Sequence, residues 1–299
     1  PEYFLPIRDF GTDYHATLDG KNALKAITHI IDLPEQQRNE SIEIAQWNED
    51  STLNVQNLSL QYNESNEYSL KDISFSWQGF GKIGIIGASG AGKSTLINVL
   101  GGFAHPTSAS IQINNETITS FNTKEWQQQV LYIPQHPYIF NDTLANNVSF
   151  YTPNATNEEI QQACHHAGLS TVIESLPNGL DERIGESGRA LSGGQEQRIA
   201  FARAFLDQSR KILLFDEPTA HLDIETEWEL KQNILPLLDG RLVFFATHRL
   251  HWMLEMDYII VMDQGKIVET GTHEQLLKAK GTYTQLIQAQ MHGTEEQYG

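Results

Sequence analysis

The residues Gly87-Ala88-Ser89-Gly90-Ala91-Gly92-Lys93-Ser94-Thr95 have the types and spacing of a phosphate cradle, with Gly87, Gly92, Lys93 and Ser94 fitting G-x-x-x-x-G-K-[ST]. The glycines let backbone N–H groups turn into one concavity that accepts an anion. The helix expected beyond it adds the positive end of its dipole. In this pattern the lysine reaches the β- and γ-phosphates and the Ser94 hydroxyl ligates Mg²⁺. All of these residues are therefore expected contacts of a nucleoside triphosphate. A second constellation is Ile212-Leu-Leu-Phe-Asp216-Glu217, an apolar run ending in two carboxylates. Asp216 is placed to hold Mg²⁺ through water, and Glu217 to orient and polarise an attacking water. The third is Leu191-Ser192-Gly193-Gly194-Gln195. A serine followed by two glycine amides caps a helix N-terminus and makes another anion site. Cys164, His165 and His166 also fall together, but they lack partners at metal-ligand spacing and read as a solvated helix face.

These groups need a frame. The phosphate-binding stretch follows an apolar run, Ile83-Gly-Ile-Ile86, and precedes a helical pattern, Leu96-Ile-Asn-Val-Leu100. That is the strand–loop–helix context the motif requires. The runs at residues 211–216, 242–246 and 258–262 are short, continuous and rich in Ile, Val, Leu and Phe. Such runs are expected of strands buried on both faces of a parallel α/β sheet, whose carboxyl edge is where ligands bind. Upstream, Leu53, Val55, Leu58, Leu60 and Tyr62 nearly alternate, with a slip between Val55 and Leu58. A polar turn at 63–67 leads to another β-rich run at 68–77, and residues 110–114 and 266–270 add strands. Residues from about 120 to 210 read as mainly helical. Thr156 with Glu159, and Thr272 with Gln275, form capping boxes that open helices, the second interrupted at Gly281. Residues 1–35 read as a helix stopped by Pro34, residues 36–51 as a polar linker, and residues 292–299 as a frayed tail.

The 299-residue chain is 39% hydrophobic and 19% charged, as expected of a soluble globular protein with a real core. Its 20 basic and 38 acidic residues give a net charge of −18, which disfavours contact with a phosphate backbone, so no nucleic-acid partner is expected. The single cysteine excludes an internal disulfide and a cysteine-based metal cluster, and fits a reducing compartment. No run of about 18 apolar residues is present to span a bilayer, and no signal peptide is visible. The chain opens on Pro1 without an initiator methionine, so the expectation is a fragment whose missing part holds membrane spans.

Taken in order, these motifs resemble the ATP-binding-cassette ATPases, whose signature is the Leu191–Gln195 pentapeptide. The resemblance covers residues 52–290. It implies an α/β P-loop NTPase fold, the ABC-type ATPase domain (52–291) with an antiparallel β subdomain and a small helical subdomain at about 136–206. It implies ATP and Mg²⁺ as ligands, with Ser94, Gln135 and Asp216 as the metal's protein contacts. It places Tyr62 where an aromatic stacks on adenine, and Gln135 where a glutamine touches Mg²⁺ or water and senses the membrane partner. It places His248 where a histidine contacts the γ-phosphate, and Asp223 where an aspartate bridges two domains. Ser192, Gly193, Gly194 and Gln195 would read the γ-phosphate of a nucleotide held by a facing domain, so the partner is a second ABC half in a head-to-tail sandwich. The expected catalytic set is Glu217, His248, Gln135 and Lys93.

The stretch between Gln135 and Leu191 has room for a small helical subdomain and none for long coiled-coil or zinc insertions. The 1–35 helix, read as the cytoplasmic end of a last transmembrane helix, points to an exporter with a fused membrane domain. Residues 1–15 and Glu217-Pro-Thr-Ala-His221-Leu-Asp223 resemble the CydD-type half of the bacterial CydDC-type exporters. That resemblance implies export of cysteine or glutathione linked to cytochrome bd assembly, a CydC-type partner, and a place on the cytoplasmic face of the plasma membrane. Two other readings stay open: a soluble cassette ATPase acting on a protein partner, and a nucleotide-binding regulatory half that does not hydrolyse ATP.

Overall fold

Apolar runs too short for helices and too continuous for a half-exposed sheet form the buried strands of this computed structural model, which describes residues 5–32, 44–62, 67–186 and 188–298. Residues 1–38 and 39–299 form two units. In the first, helix α1 (Leu5–Ile31) lies within the stretch expected to be helical over 1–35, whose ends fall outside the described residues. Its side chains Phe10, Tyr14, Leu18, Leu24, Ile27 and Ile31 are exposed. Among the described residues, no helix is long and apolar enough to cross a membrane. The expected stop at Pro34, the linker residues 36–43 and the turn residues 63–66 lie outside the described residues.

In the second unit the elements run β1 (Thr52–Gln61), β2 (Tyr68–Gln78), β3 (Gly81–Ile86), α2 (Lys93–Leu100), β4 (Ser108–Ile113), β5 (Glu116–Ile118), α3 (Lys124–Gln127) and β6 (Val130–Ile133). There follow β7 (Asp142–Thr143), α4 (Leu144–Val148), α5 (Asn157–His166), α6 (Ser170–Ser175), β8 (Arg183–Ile184) and α7 (Gly193–Leu206). The chain closes with β9 (Ile212–Asp216), α8 (Ile224–Leu238), β10 (Leu242–Ala246), β11 (Tyr258–Asp263), β12 (Lys266–Gly271), α9 (His273–Ala279) and α10 (Thr282–Tyr298).

The main sheet has the order β12-β11-β3-β10-β9-β6. Its strands are parallel except for β12, which returns antiparallel on β11. Every residue of β9 and β10 is buried. Their side chains alternate between two cores: Leu213, Phe215, Val243 and Phe245 join the core under the helical part, and Ile212, Leu214, Leu242 and Phe244 join the core under the second sheet. Each such side chain contributes about 1.5–3 kcal/mol on burial. That second sheet, β2-β1-β4-β5, is antiparallel. The slip expected between Val55 and Leu58 is a bulge with Asn57 at a φ of 50°, and it returns Leu58 to the buried face.

Several expectations are corrected. Residues 44–51 are not a free linker. Trp47 is 3% exposed, packs edge-on against Trp126, and donates from Nε1 to the Gly79 carbonyl at 2.9 Å. Burial of the large ring is favourable, and the hydrogen bond removes the cost of burying its N–H. Residues 130–133 within the region read as helical form a sheet strand, β6, because a buried neighbour, β9, supplies its hydrogen bonds. Helix α10 continues to Tyr298, where a frayed tail was expected from residue 292; good helix formers (Glu295, Glu296, Gln297) carry it past Gly293. The capping boxes at Thr156 and Thr272 are formed, and Lys280 in a left-handed conformation, just before Gly281, separates α9 from α10.

Candidate nucleotide site

The strand order places four chain exits along one edge. The loop after β3 is Gly87–Gly92, β10 leads to Thr247 and His248, β9 ends in Asp216 and leads to Glu217, and β6 leads to Gln135. In a parallel sheet all of these are carboxyl ends, where side chains and free N–H groups converge on a ligand. They line a cleft of about 1120 Å³ with Ser89, Gly90, Gly92, Lys93, Ser94, Thr95, Gln135, Glu217 and His248 in its wall.

The phosphate loop is set by backbone constraints. Gly90 and Gly92 hold φ values of 79° and 100°, the left-handed region that glycine enters without strain. A Cβ on Gly87 would stand 2.2 Å from the Met262 carbonyl oxygen, so the loop passes too close to β11 for any side chain. Lys93, 7% exposed, donates to the carbonyls of Gly87 at 2.9 Å and Ala88 at 3.2 Å, and lies 3.8 Å from Glu217. Its ammonium therefore faces the space that the loop amides enclose. Ala88 and Ala91 complete the loop, Ala91 buried beneath it.

Two oxygen ligands meet on one side of the cleft. Ser94 Oγ donates to Asp216 Oδ1 at 2.8 Å. Burial lifts the Asp216 carboxyl above its ordinary value against that hydrogen bond, and the charge of Glu217 adds to the lift. This hydroxyl–carboxylate pair suits a hard cation that takes the rest of its shell from phosphate and water. Among the described residues no group of three or more His, Cys, Asp or Glu side chains is arranged to hold a metal. The Cys164–His166 trio is no such group either, and Cys164 is not solvated as expected: it is fully buried on the inner face of α5, which pushes its thiol up to about 12.

Glu217 projects from a residue with φ of 47°. Its Oε2 takes contacts from His248 Nδ1 at 2.7 Å, the His248 backbone N–H at 3.2 Å and the Thr247 hydroxyl at 3.3 Å. Burial alone would raise this carboxyl; the hydrogen bonds and charge of His248, with Lys93 nearby, outweigh it and hold the group below its ordinary value. It is thus an ionised acceptor at the end of the cleft, which is what activation of water requires.

The Ser192–Gln195 residues do not join this cleft. Ser192 caps α7: its Oγ accepts the Gln195 N–H at 3.3 Å, and Gln195 Oε1 accepts the Ser192 N–H at 3.0 Å. Ser192, Gly193, Gly194 and Gln195 line a second cleft with Asp223, which caps α8 by accepting the Thr226 N–H at 2.9 Å. One chain therefore presents the Lys93 cleft and the Ser192 cleft as separate surfaces. Tyr62, just past β1, is 47% exposed and is not in the wall of the Lys93 cleft; Tyr68, on the neighbouring strand β2 and 48% exposed, is. Sequence reasoning also missed Lys71, Gln264 and Gly265 in that wall. The β11–β12 turn is stitched to the phosphate loop by the Gly265 N–H to the Ala91 carbonyl (3.0 Å), and to β2 by the Lys71 N–H to the Gly265 carbonyl (2.8 Å). The Gln264-Gly265 dipeptide signals a turn, but nothing local says that it turns toward the nucleotide loop.

A family model described as ABC transporter matches residues 70–220. The chain is 52% identical over 97% of its length to the glutathione/L-cysteine transport system ATP-binding/permease protein CydC of Bacillus subtilis (strain 168), covering 50% of that protein. It is 35% identical over 94% of its length to an ATP-dependent lipid A-core flippase of Pseudomonas fluorescens, covering 46% of it. The structure of a bacterial Atm1-family ABC exporter with ATP bound superposes with a TM-score of 0.79 at 30% identity, over 96% of this chain and 50% of that one. The chain thus spans about half the length of the relatives it matches.

Proposed function

The chain belongs to the ABC transporter family, and from that premise we propose that it is the ATP-binding and ATP-hydrolysing part of an exporter half, working against a second such half. The ATP-binding domains of such exporters are ATPases coupled to transport. The observation that carries the reading is the Glu217 carboxylate, held by His248 at 2.7 Å in the wall of the Lys93 cleft.

The reaction follows from the residues. The loop amides of Gly87–Gly92 and the Lys93 ammonium bind and orient the phosphates, while Ser94 and Asp216, with Gln135 beside them, would hold Mg²⁺. Bound there, Mg²⁺ supplies charge neutralisation on the phosphate oxygens. Glu217 accepts a hydrogen bond from water and turns its lone pair toward the γ-phosphorus, and His248 keeps that carboxylate in place. Catalysis is then mostly positioning and charge stabilisation. Because Ser192, Gly194 and Asp223 lie on another surface of the chain, they serve the nucleotide of the facing half.

The proposed setting is the cytoplasmic face of a bacterial plasma membrane, with α1 continuing a membrane domain. The coupling surface is the aromatic recess next to Gln135, lined by Tyr132, Tyr138, Phe140 and Phe150. Arg203 on α7 fixes this recess, donating to the carbonyls of Asn147 at 2.7 Å and Tyr138 at 3.0 Å, so the signature helix and the recess move together. The proposed cargo is cysteine or glutathione, linked to cytochrome bd assembly. Support comes from the named relative and from the resemblance of residues 1–15. That relative is a CydC, whereas the sequence resemblance pointed to the CydD-type half, so the proposed partner is the complementary subunit of such a pair.

The test is Glu217→Gln in the intact protein that carries this chain. ATP should still bind, and turnover should fall on the order of 10²–10⁴-fold. Undiminished turnover would overturn the assignment.

A further inference from the structure

We propose that Glu227, paired with Arg249, is a positioning residue for hydrolysis: it holds the segments carrying Glu217, Asp223 and His248 in one fixed relation. Glu227 lies on α8, is 1% exposed, and is not in the wall of either cleft. The reaction described above gives it nothing to do, yet four side chains engage its carboxylate. Its Oε1 accepts from Thr219 Oγ1 at 2.6 Å and Trp252 Nε1 at 2.8 Å, with His251 Nε2 at 3.3 Å, and its Oε2 is bound by the Arg249 guanidinium.

The partners matter for where they sit in the chain. Thr219 follows Glu217 by two residues. Arg249 follows His248 directly, and its own N–H donates to the Thr247 hydroxyl at 3.0 Å, which in turn touches Glu217 Oε2. The other arm of Arg249 donates to the Leu222 carbonyl at 3.0 Å, one residue before Asp223. A single charge pair, its carboxylate buried and its guanidinium partly so, therefore ties the exit of β9, the turn that ends in Asp223, and the exit of β10. Apolar residues of similar volume fill a core at least as stably as a buried ion pair does. What the pair contributes that apolar residues cannot is direction: fixed hydrogen bonds to three segments at once.

This inference rests on the roles given above to Glu217 and His248. A displacement of either by about 1 Å lowers turnover about 100-fold without affecting groups that only bind phosphate. The distinguishing variant is Glu227→Gln with Arg249→Met, which removes both charges and leaves neither unpaired. It should fold, bind ATP within about two-fold of the parent, and show kcat lowered about 10- to 100-fold. A folded double variant with parental kcat overturns the proposal. So does one whose ATP affinity falls in step with kcat, since the pair would then be holding the whole domain. If the double variant does not fold, Arg249→Lys is read instead: it keeps the charge but loses the fork that reaches both Glu227 and Leu222. A kcat loss there at constant ATP affinity supports the proposal, and no loss overturns it. Glu217→Gln, run alongside, separates the two claims: if it hydrolyses ATP normally, the reading of Glu217 fails first.

Discussion

His248 Nδ1 lies 2.7 Å from Glu217 Oε2, and the backbone N–H of the same histidine contacts the same oxygen at 3.2 Å. Burial pushes the Glu217 carboxyl up and these contacts pull it down, with the contacts winning. Replacing His248 with Ala removes the side-chain contact and its charge while the backbone N–H remains. Glu217 then needs a higher pH to ionise. The acid limb of the kcat/KM profile should move to higher pH in His248→Ala, besides any fall in its plateau. An acid limb that stays in place would show that Glu217 does not depend on His248.

The phosphate loop should discriminate between two of its glycines. Ala at Gly87 would place a methyl 2.2 Å from the Met262 carbonyl oxygen, and backbone cannot yield as a flexible side chain can. ATP affinity should fall at least about 10-fold, with a lower melting temperature, from strain of roughly 1–3 kcal/mol. Gly90, with φ of 79°, has open space where its Cβ would go. Gly90→Ala should cost only about 1–2 kcal/mol of left-handed backbone strain. Melting curves and ATP titrations of both variants check this ordering.

Thr156 and Ser192 form capping boxes of the same design at the starts of α5 and α7. Mutation of either to Ala should lower stability by about 1 kcal/mol. Only Ser192→Ala should also lower turnover in the two-domain assembly, because only Ser192 faces a cleft with Asp223. Equal turnover in the two variants would reduce Ser192 to an ordinary cap.

Tyr62 was expected to stack on adenine, yet Tyr68 is the tyrosine in the cleft wall. Loss of a stacking ring lowers affinity by about 1–3 kcal/mol. If Tyr62 is the platform, Tyr62→Ala should raise the ATP Kd about 10-fold or more while Tyr62→Phe leaves it unchanged. A loss confined to Tyr68→Ala would move the platform to the second strand.

Acid should unfold the protein partly through Glu227. Burial would raise this carboxyl, but hydrogen bonds from His251, Thr219 and Trp252 and the charge of Arg249 bring it from its ordinary 4.5 to about 2. A depressed carboxyl stabilises the fold fully above its unfolded value and loses that contribution as pH falls through its folded value. The stabilisation, roughly 3 kcal/mol, should therefore drain away between about pH 4.5 and about pH 2. Urea midpoints measured across that window should fall less steeply in the Glu227→Gln, Arg249→Met double variant.

What could be read without the structure was whatever chemistry is written in adjacent residues. The phosphate loop, the Asp216-Glu217 pair and the Ser192 cap are local patterns whose geometry follows from glycine freedom and helix ends, and the structure forms each of them. The buried strands were legible because β9 and β10 are apolar on both faces. Contacts between distant segments left no such trace. Trp47 sits in a polar stretch and packs against a residue far along the chain. β6 is a strand only because β9 runs beside it. Glu227 is one acid among several in Glu225–Glu229, and only the fold reveals that Thr219, Arg249 and Trp252 surround it.

The φ of 47° at Glu217 sets endurance against turnover at one peptide unit. A non-glycine residue in that region costs about 1–2 kcal/mol, and Gly or Asn would relieve most of it. A library of this chain screened only for survival at high temperature would drift toward those residues at position 217 and lose hydrolysis as it gained heat resistance. Ranking variants or relatives of this domain by melting temperature is therefore no guide to how fast they work, and the most durable among them deserve suspicion at this one position first.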